Sequence, residues 1–183
     1  MRVSIIAAMD QKRGIGKDNK IPWHIKEDLV HLKGLTKDHV VILGRKSYES
    51  MVFYYNRTGN PMPGKLYIVV THDKNYKPAR ENAMIAHSLE EALSPARGRL
   101  ARLDDEVFVI GGAQIFQQAI SIADKLYLTV VEARLDSPPE SPARRGEFDA
   151  DAFFPDYSEF KKVVHEEKRE SDGFKYTFLE LER

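Results

Sequence analysis

The sequence predicts a single α/β domain over residues 1–183, with a mostly parallel sheet that closes on an antiparallel C-terminal strand. Three observations carry this. Short runs of branched apolar residues recur along the chain (Val3–Ala8, Val40–Gly44, Leu66–Thr71, Val107–Ile110), as expected of strands buried on both faces. Helical stretches separate them, the pattern of strands joined by crossovers. Near the end, Phe160–Glu167 and Phe174–Leu181 flank Ser171-Asp172-Gly173, a turn sequence that folds two strands into a hairpin.

Composition narrows the function classes. Lys plus Arg equals Asp plus Glu, 28 each, which argues against a general nucleic-acid or membrane-surface binder. The absence of cysteine excludes disulfides, thiolate metal sites and a thiol nucleophile, and is compatible with the cytoplasm. The six histidines are dispersed without metal-binding spacing, so no metal is expected. No apolar run is long enough to span a membrane, and Met1-Arg2-Val3 leads straight into a strand rather than a signal peptide. No internal repeat and no long exposed apolar stripe is evident, and a soluble monomer is the expectation.

After the first strand, Val3–Ala8, a polar loop from Met9 to Lys20 contains Gly14 and Gly16, and reads equally as a solvated connector or a lid. Ile21-Pro22 stops it, because the residue before proline avoids the helical region. A helix follows, with Ile25, Leu29 and Leu32 at i, i+4 and i+7 on its buried face. Asp28 falls inside that stripe, whereas Glu27 is expected to point to water. An unpaired buried carboxylate is costly, so Asp28 has either a structural partner or a ligand. The lone tryptophan, Trp23, reads on its own as core.

Val40–Gly44 is the second strand, and Ser47 is the expected cap of a short helix with Glu49 in its first turn. A strand delivering Gly44-Arg45-Lys46-Ser47 to a helix start brings backbone N–H groups and cations together, which suits a phosphate. Met51–Gly64 reads as an irregular connector ending in the turn Pro61-Met62-Pro63-Gly64. The third strand, Leu66–Thr71, exits at His72. Ser88-Leu89-Glu90-Glu91 is a capping box that opens a helix to about Leu93, with Pro95 ending it. Arg97–Asp105 is a polar connector. Val107–Ile110 leads into Gly111-Gly112, either an ordinary turn or a place where a pyrophosphate approaches the backbone, and Ala113–Ile120 is the next helix. Lys125–Glu132 is a strand, and Asp136–Asp149 a long surface loop.

Four of these motifs share a family order. Ile15-Gly16-x-x-Asn19-x-x-Pro22-Trp23 followed by Asp28-Leu29, the Gly44–Ser47 turn, Pro61-x-Pro63-Gly64, and Val109-Ile110-Gly111-Gly112-Ala113-x-Ile115-Phe116 together resemble the bacterial-type dihydrofolate reductases nearly end to end. The resemblance implies an eight-stranded sheet with helices on both faces, and NADPH-dependent reduction of 7,8-dihydrofolate to 5,6,7,8-tetrahydrofolate. It implies that Asp28 binds the pterin and assists its protonation, supported by Trp23, through water, and by Thr129. The remaining substrate contacts would be Ile6, Ala8, Leu32, Met51, Met62, Lys65 and Ile110. NADPH would meet Ala8, Ile15, Gly16 and Asn19 from the loop, Gly44, Arg45, Lys46 and Ser47 from the phosphate turn, and Thr71 and His72. It would also meet Gly111, Gly112, Ala113, Gln114, Ile115 and Phe116, with a cis peptide between the two glycines. Whether burial or the helix N-terminus governs the pKa of Asp28 is open at this stage.

This chain departs from the family pattern in places. Lys65 stands where the family commonly has arginine gripping the glutamate α-carboxylate, and a point charge does not reproduce that planar fork. Weaker recognition of the folate tail is expected, with Arg57 nearby as a compensating cation. Phe116 replaces a common tyrosine. Residues 53–60 and 136–149 read as insertions. Two rival readings are the related reductase of riboflavin biosynthesis, which acts on a ribosylated pyrimidine, and a non-catalytic NADPH-binding module. The Pro22-Trp23 and Asp28-Leu29 pairing argues against the first.

Overall fold

The computed structural model describes residues 1–97, 106–134, 137–138 and 141–183. In chain order the elements are β1 (Arg2–Asp10), β2 (Gly14–Gly16), α1 (Lys26–Thr36), β3 (Val40–Gly44), α2 (Arg45–Thr58), β4 (Leu66–Val70), β5 (Ala83–Ala86), α3 (Leu89–Arg97), β6 (Glu106–Val109), α4 (Ala113–Ala119), β7 (Lys125–Arg134), β8 (Ala152–Phe153), β9 (Lys162–Ser171) and β10 (Phe174–Glu182). One sheet has the order β5-β4-β3-β6-β1-β7-β10-β9. Every pairing from β5 to β7 is parallel, and β10 runs antiparallel to β7 and to β9. This is the expected eight-stranded sheet, with β9 of the C-terminal hairpin as its outer edge. Asp172 (φ 51°) and Gly173 (φ 79°) take the left-handed conformations that a two-residue hairpin turn needs.

Strand alternation sends side chains into two cores. Val3, Ile5 and Ala7 of β1 and Val40 and Ile42 of β3 pack with Leu89, Ala92 and Leu93 of α3 and Ile115, Phe116 and Ala119 of α4. On the other face Ile6 meets Leu32 and Leu35 of α1, while Val41 and Leu43 meet Tyr48 and Val52 of α2. Helices therefore cover both faces, and the strands read as continuous apolar runs because neither face is wet.

Several local expectations are corrected. Gly44, not Ser47, is the residue at the N-cap of α2, and the helix is 14 residues long rather than short. Its buried residues Tyr48, Val52 and Tyr55 lie on one helical stripe, which carries the helix through most of the segment read as an irregular insertion. Gly59 (φ 70°) then ends it. Helix α3 continues through Pro95 to Arg97, since one backbone bond lost near a C-terminus does not outweigh the burial of Leu89, Ala92 and Leu93. Its capping box is present: Glu91 N–H donates to Ser88 Oγ at 3.0 Å, and the Glu91 carboxylate accepts from His87 N–H at 2.7 Å. The predicted connector beyond Arg97, to Asp105, lies outside the described residues, as do parts of the predicted 136–149 loop.

The Met9–Lys20 segment is docked rather than free. Gly14–Gly16 pairs with Ala152–Phe153, Asp151 N–H donates to Gly16 O at 3.0 Å, and Phe154 N–H to Arg13 O at 2.7 Å. The buried carboxylate of Asp10 accepts from the backbone N–H groups of Lys12 (2.8 Å), Gly14 (2.7 Å) and Phe148 (3.2 Å), tying the base of the segment to the chain that precedes β8.

The C-terminal hairpin fixes the start of α1. Ile25, at the N-cap, has no side chain able to accept, and Asp172 supplies the missing acceptor: Lys26 N–H donates to its Oδ2 at 2.8 Å. The next residue, Glu27, is exposed as expected, yet its carboxylate accepts from the Tyr176 hydroxyl of β10 at 2.7 Å. Asp172→Ala removes the borrowed cap and strains the left-handed turn. It is expected to lower unfolding free energy by about 1–2 kcal/mol in urea titration, and Asp172→Asn by clearly less, since asparagine keeps an acceptor and tolerates positive φ.

Candidate functional site

Asp28 is half-buried in the first turn of α1, and the hydroxyl of Thr129 donates to its Oδ1 at 2.6 Å. Thr129 is buried in β7, in register with Ala8 of β1, so the sheet itself fixes the donor. Burial raises the pKa of Asp28 above its ordinary value, with the Thr129 hydrogen bond opposing that rise. The sign left open by the sequence is thus upward. Of the predicted stripe, Ile25 is fully buried while Leu29 and Leu32 are half-buried, and Leu32 borders the Ile6–Phe108–Tyr127 cluster.

Trp23 sits beside this turn in a cluster with Ile25, Val131, Phe174 and Phe178, with Ala8 at its margin. Its ring meets Phe148 edge-on at 5.1 Å between centroids. The indole Nε1 is buried without an acceptor among the described residues, so Trp23 makes no direct bond to Asp28. Ile110 borders two apolar clusters, that of Ile6, Phe108 and Tyr127, which Leu32 also borders, and that of Val41, Leu43 and Tyr48, which Met51 and Met62 also border. The predicted apolar substrate residues therefore share one face of the sheet. Lys65 is exposed at the entry to β4, its backbone N–H donating to His39 O at 2.9 Å, and Arg57 is exposed in the last turn of α2.

The predicted phosphate turn and the paired glycines meet because β3 and β6 are adjacent and parallel. Gly44 N–H donates to Gly111 O at 2.7 Å, and Ile110 N–H to Ile42 O at 3.0 Å. The Gly111–Gly112 peptide is cis, as expected. Gly111 has φ 117°, and a Cβ there would lie 3.1 Å from the Phe116 ring, so glycine is required on both counts. A Cβ on Gly112 would lie 3.4 Å from Ser47 Oγ, and one on Gly44 3.4 Å from Ile115 and 3.6 Å from Gly112 N. Neither Gly44 nor Gly112 caps its helix with a side chain, so this junction presents backbone N–H groups on a surface kept bare. Ala113 is half-buried and Gln114 exposed beside it.

A predicted residue of the Met9–Lys20 segment reaches the start of α2. Lys46 Nζ lies 3.3 Å from Asn19 Oδ1, joining the Met9–Lys20 segment to the start of α2. Arg45 pairs with Glu49 at 3.2 Å and lies over the Tyr76 ring at 5.8 Å. Gly16 is buried and Ile15 packs against the main core. Thr71 is buried, its hydroxyl accepting from Asp73 N–H at 3.2 Å; His72 is exposed, and His87 Nδ1, not His72, lies 2.9 Å from Thr71 O. Phe116 is fully packed, edge-on to Phe154 at 5.1 Å.

Sequence reasoning missed Asp10, Asp151, Asp172 and Tyr176. Asp151 Oδ2 accepts from Asp18 N–H at 3.0 Å, and Lys17 pairs with Asp149 at 3.3 Å, so the segment's tip is held by the same stretch that holds its base. Only the Asp172-Gly173 turn left a local signal, and it pointed to the hairpin, not to α1. Among the described residues no group of three His, Asp or Glu side chains forms a metal site, and no helix is long and apolar enough to cross a membrane.

Comparison with known proteins identifies the family. Residues 2–183 match the family profile described as dihydrofolate reductase. The dihydrofolate reductase of Staphylococcus haemolyticus is 35% identical over 187 aligned positions, covering 100% of this chain and 96% of the relative. That of Bacillus subtilis is also 35% identical, covering 99% and 94%. The Staphylococcus aureus enzyme is 32% identical, covering 100% and 99%. With the profile and these full-length relatives in agreement, the chain belongs to the dihydrofolate reductase family.

Proposed function

We propose that this chain catalyses the NADPH-dependent reduction of 7,8-dihydrofolate to 5,6,7,8-tetrahydrofolate, with Asp28 binding the pterin and assisting its protonation. The observation that carries the reading is a half-buried carboxylate, held by Thr129 on one oxygen and one helical turn from Leu32, which borders the same Ile6–Phe108–Tyr127 cluster as Ile110. Such a carboxylate orients a flat heterocycle that presents an amino group and a ring N–H together, through charge-assisted hydrogen bonds. Family membership and the relatives' names support the same substrate.

The junction of Gly44, Ser47, Gly111 and Gly112 suits a dinucleotide pyrophosphate, because two helix starts without side-chain caps meet there and Gly111, at φ 117° with the Phe116 ring 3.1 Å from its Cβ position, keeps the backbone bare. Arg45, Lys46, Thr71 and His72 would hold the adenosine phosphates. Ala8, Ile15, Gly16, Asn19 and the residues from Ala113 to Phe116 would surround the rest. When bound, NADPH supplies the hydride. The protein's own work is orientation and handling of one proton. Thr129 fixes Oδ1 of Asp28 and leaves Oδ2 for the pterin, and the raised pKa keeps the carboxyl protonated to higher pH than a free aspartate. We read the chain as one domain acting as a cytoplasmic monomer, without nucleic-acid or membrane partners, in keeping with its balanced charge.

NADPH oxidation by the purified protein with 7,8-dihydrofolate tests the reading. Turnover is expected, and Asp28→Asn is expected to lower it about 10²–10⁴-fold with the fold and NADPH binding intact. Near-normal turnover in folded Asp28→Asn would remove Asp28 from the chemistry. Oxidation only with the ribosylated pyrimidine of riboflavin synthesis would assign the rival reaction, and NADPH binding without oxidation would leave a cofactor-binding module.

Stability should depend on pH in a defined direction. Because the folded-state pKa of Asp28 is raised, its ionisation disfavours the folded state: the protein loses stability as pH climbs from the unfolded-state value, near 3.8, through the raised folded value. Asp28→Leu lacks this loss and suits the apolar stripe. Denaturant titrations should therefore show the variant gaining on the wild type across that interval and holding a constant advantage above it. A stability gap independent of pH would contradict the raised pKa.

A further inference from the structure

The family's arginine for the folate tail is absent here, Lys65 standing in its place, and the cation the sequence offered instead, Arg57, is exposed in the last turn of α2. The structure presents a different one. A cavity of about 520 Å³ opens between the C-terminal end of α2 and the chain leading into β5, lined by Tyr55, Asn56, Asn60, Met62, Arg80 and Asn82 together with Gly59 and Pro61. This volume lies within the range of small-molecule sites.

Arg80 is the only charged residue in that lining. Its Nη2 donates to Asn56 Oδ1, and its Nε is buried without an acceptor. No carboxylate among the described residues pairs with it. A guanidinium has five N–H donors in a planar fork, the geometry that matches a carboxylate through two parallel bonds. Half-buried, it is a cation with an amide support and no carboxylate paired to it among the described residues. Asn56, Asn60 and Asn82 add side-chain amides, so the lining is polar without being acidic.

The cavity adjoins the substrate side of the molecule. Met62 lines it and also packs in the cluster with Met51 and Ile110. Asn82 donates through Nδ2 to Gly64 O at 3.2 Å, and the Tyr67 hydroxyl accepts from Gly64 N–H at 2.7 Å, so the residue preceding Lys65 is clamped to the cavity wall. Four of the lining residues, Tyr55, Asn56, Gly59 and Asn60, come from the stretch that sets this chain apart from the usual family pattern.

We propose that this cavity is a carboxylate subsite, with Arg80 as its cation, that receives the acidic tail of the substrate. The inference rests on the dihydrofolate reading and adds to it a tail-recognition residue outside the family's motif. Extension of α2 builds the site, and Arg80 supplies the planar fork that Lys65 lacks.

The test compares 7,8-dihydrofolate with a 7,8-dihydropterin lacking the tail, in wild type, Arg80→Gln, Arg80→Lys and Asn60→Asp, with melting temperature as the folding control. The ratio of kcat/KM for dihydrofolate over dihydropterin is expected to fall about tenfold in Arg80→Gln, chiefly through KM for dihydrofolate, and less in Arg80→Lys. Asn60→Asp, at an exposed position, places a negative charge in the cavity and should lower the ratio in the same direction should Arg80→Gln fail to fold. An unchanged ratio in folded variants overturns the proposal. Arg80-dependent binding of glutarate with an unchanged ratio also overturns it, assigning the cavity to free dicarboxylates. Quenching of Trp23, the single tryptophan, gives the Kd for dihydrofolate without turnover. Absence of NADPH oxidation with either substrate would defeat the functional reading, whereas a weakened Kd in Arg80→Gln would still support the subsite and an unchanged Kd would refute it.

Discussion

A carboxylate set into an apolar helix face must be given a donor by its surroundings, and here the sheet provides one at a fixed place. Thr129 is buried in β7, and its hydroxyl meets Asp28 at 2.6 Å. The two residues on the N-terminal side are held by the same end of the sheet: Lys26 N–H on Asp172, and the Glu27 carboxylate on Tyr176. Three consecutive residues of α1 are thus pinned by the antiparallel side of the molecule. A helix end with no cap of its own acquires one from a hairpin, and the turn that carries Asp28 acquires its position from it.

The other half of the site follows from sheet order. Because β3 and β6 lie side by side and run parallel, their exits deliver Gly44 and Gly111 to each other, and the starts of α2 and α4 with them. Glycine is required at position 111, where a Cβ would press on the Phe116 ring, and Gly44 and Gly112 leave the backbone uncovered beside Ile115 and Ser47. The Met9–Lys20 segment, bound at its base by Asp10 and at its tip by Asp151, reaches this junction through Asn19 and Lys46. One face of the sheet therefore carries the apolar clusters and the helix with Asp28, and the adjoining strand ends carry the glycine junction.

Much of this was legible in the residues. The parallel core strands announced themselves as apolar runs, the Asp172-Gly173 turn gave the hairpin, and Asp28 stood out as a carboxylate in an apolar stripe. The glycine pair and its cis peptide followed from the family motif. What escaped has a common cause. The length of α2 was hidden because its buried stripe is built from Tyr48, Val52 and Tyr55 amid polar neighbours, and glycine and prolines downstream coloured the whole segment as a connector. The two-residue strand β8, its partner β2 and the short β5 exist through tertiary pairing, which no local pattern encodes. Asp10, Tyr176 and Asp172 act at long sequence separation, and side chains of that kind look like ordinary surface or core residues until the chain is folded. The same holds for Arg80, which gains meaning only beside the extended α2.

At the centre of the site, burial lifts the pKa of the Asp28 carboxyl while the Thr129 hydroxyl restrains the lift. The most direct measurement is a carbon-13 NMR titration of the Asp28 side-chain carboxyl, assigned by its loss in Asp28→Asn, in wild type and Thr129→Val. A midpoint above the ordinary aspartate value is expected in the wild type, and a higher one still in Thr129→Val. A wild-type midpoint at or below that value, or one unmoved by loss of the threonine hydroxyl, would contradict it.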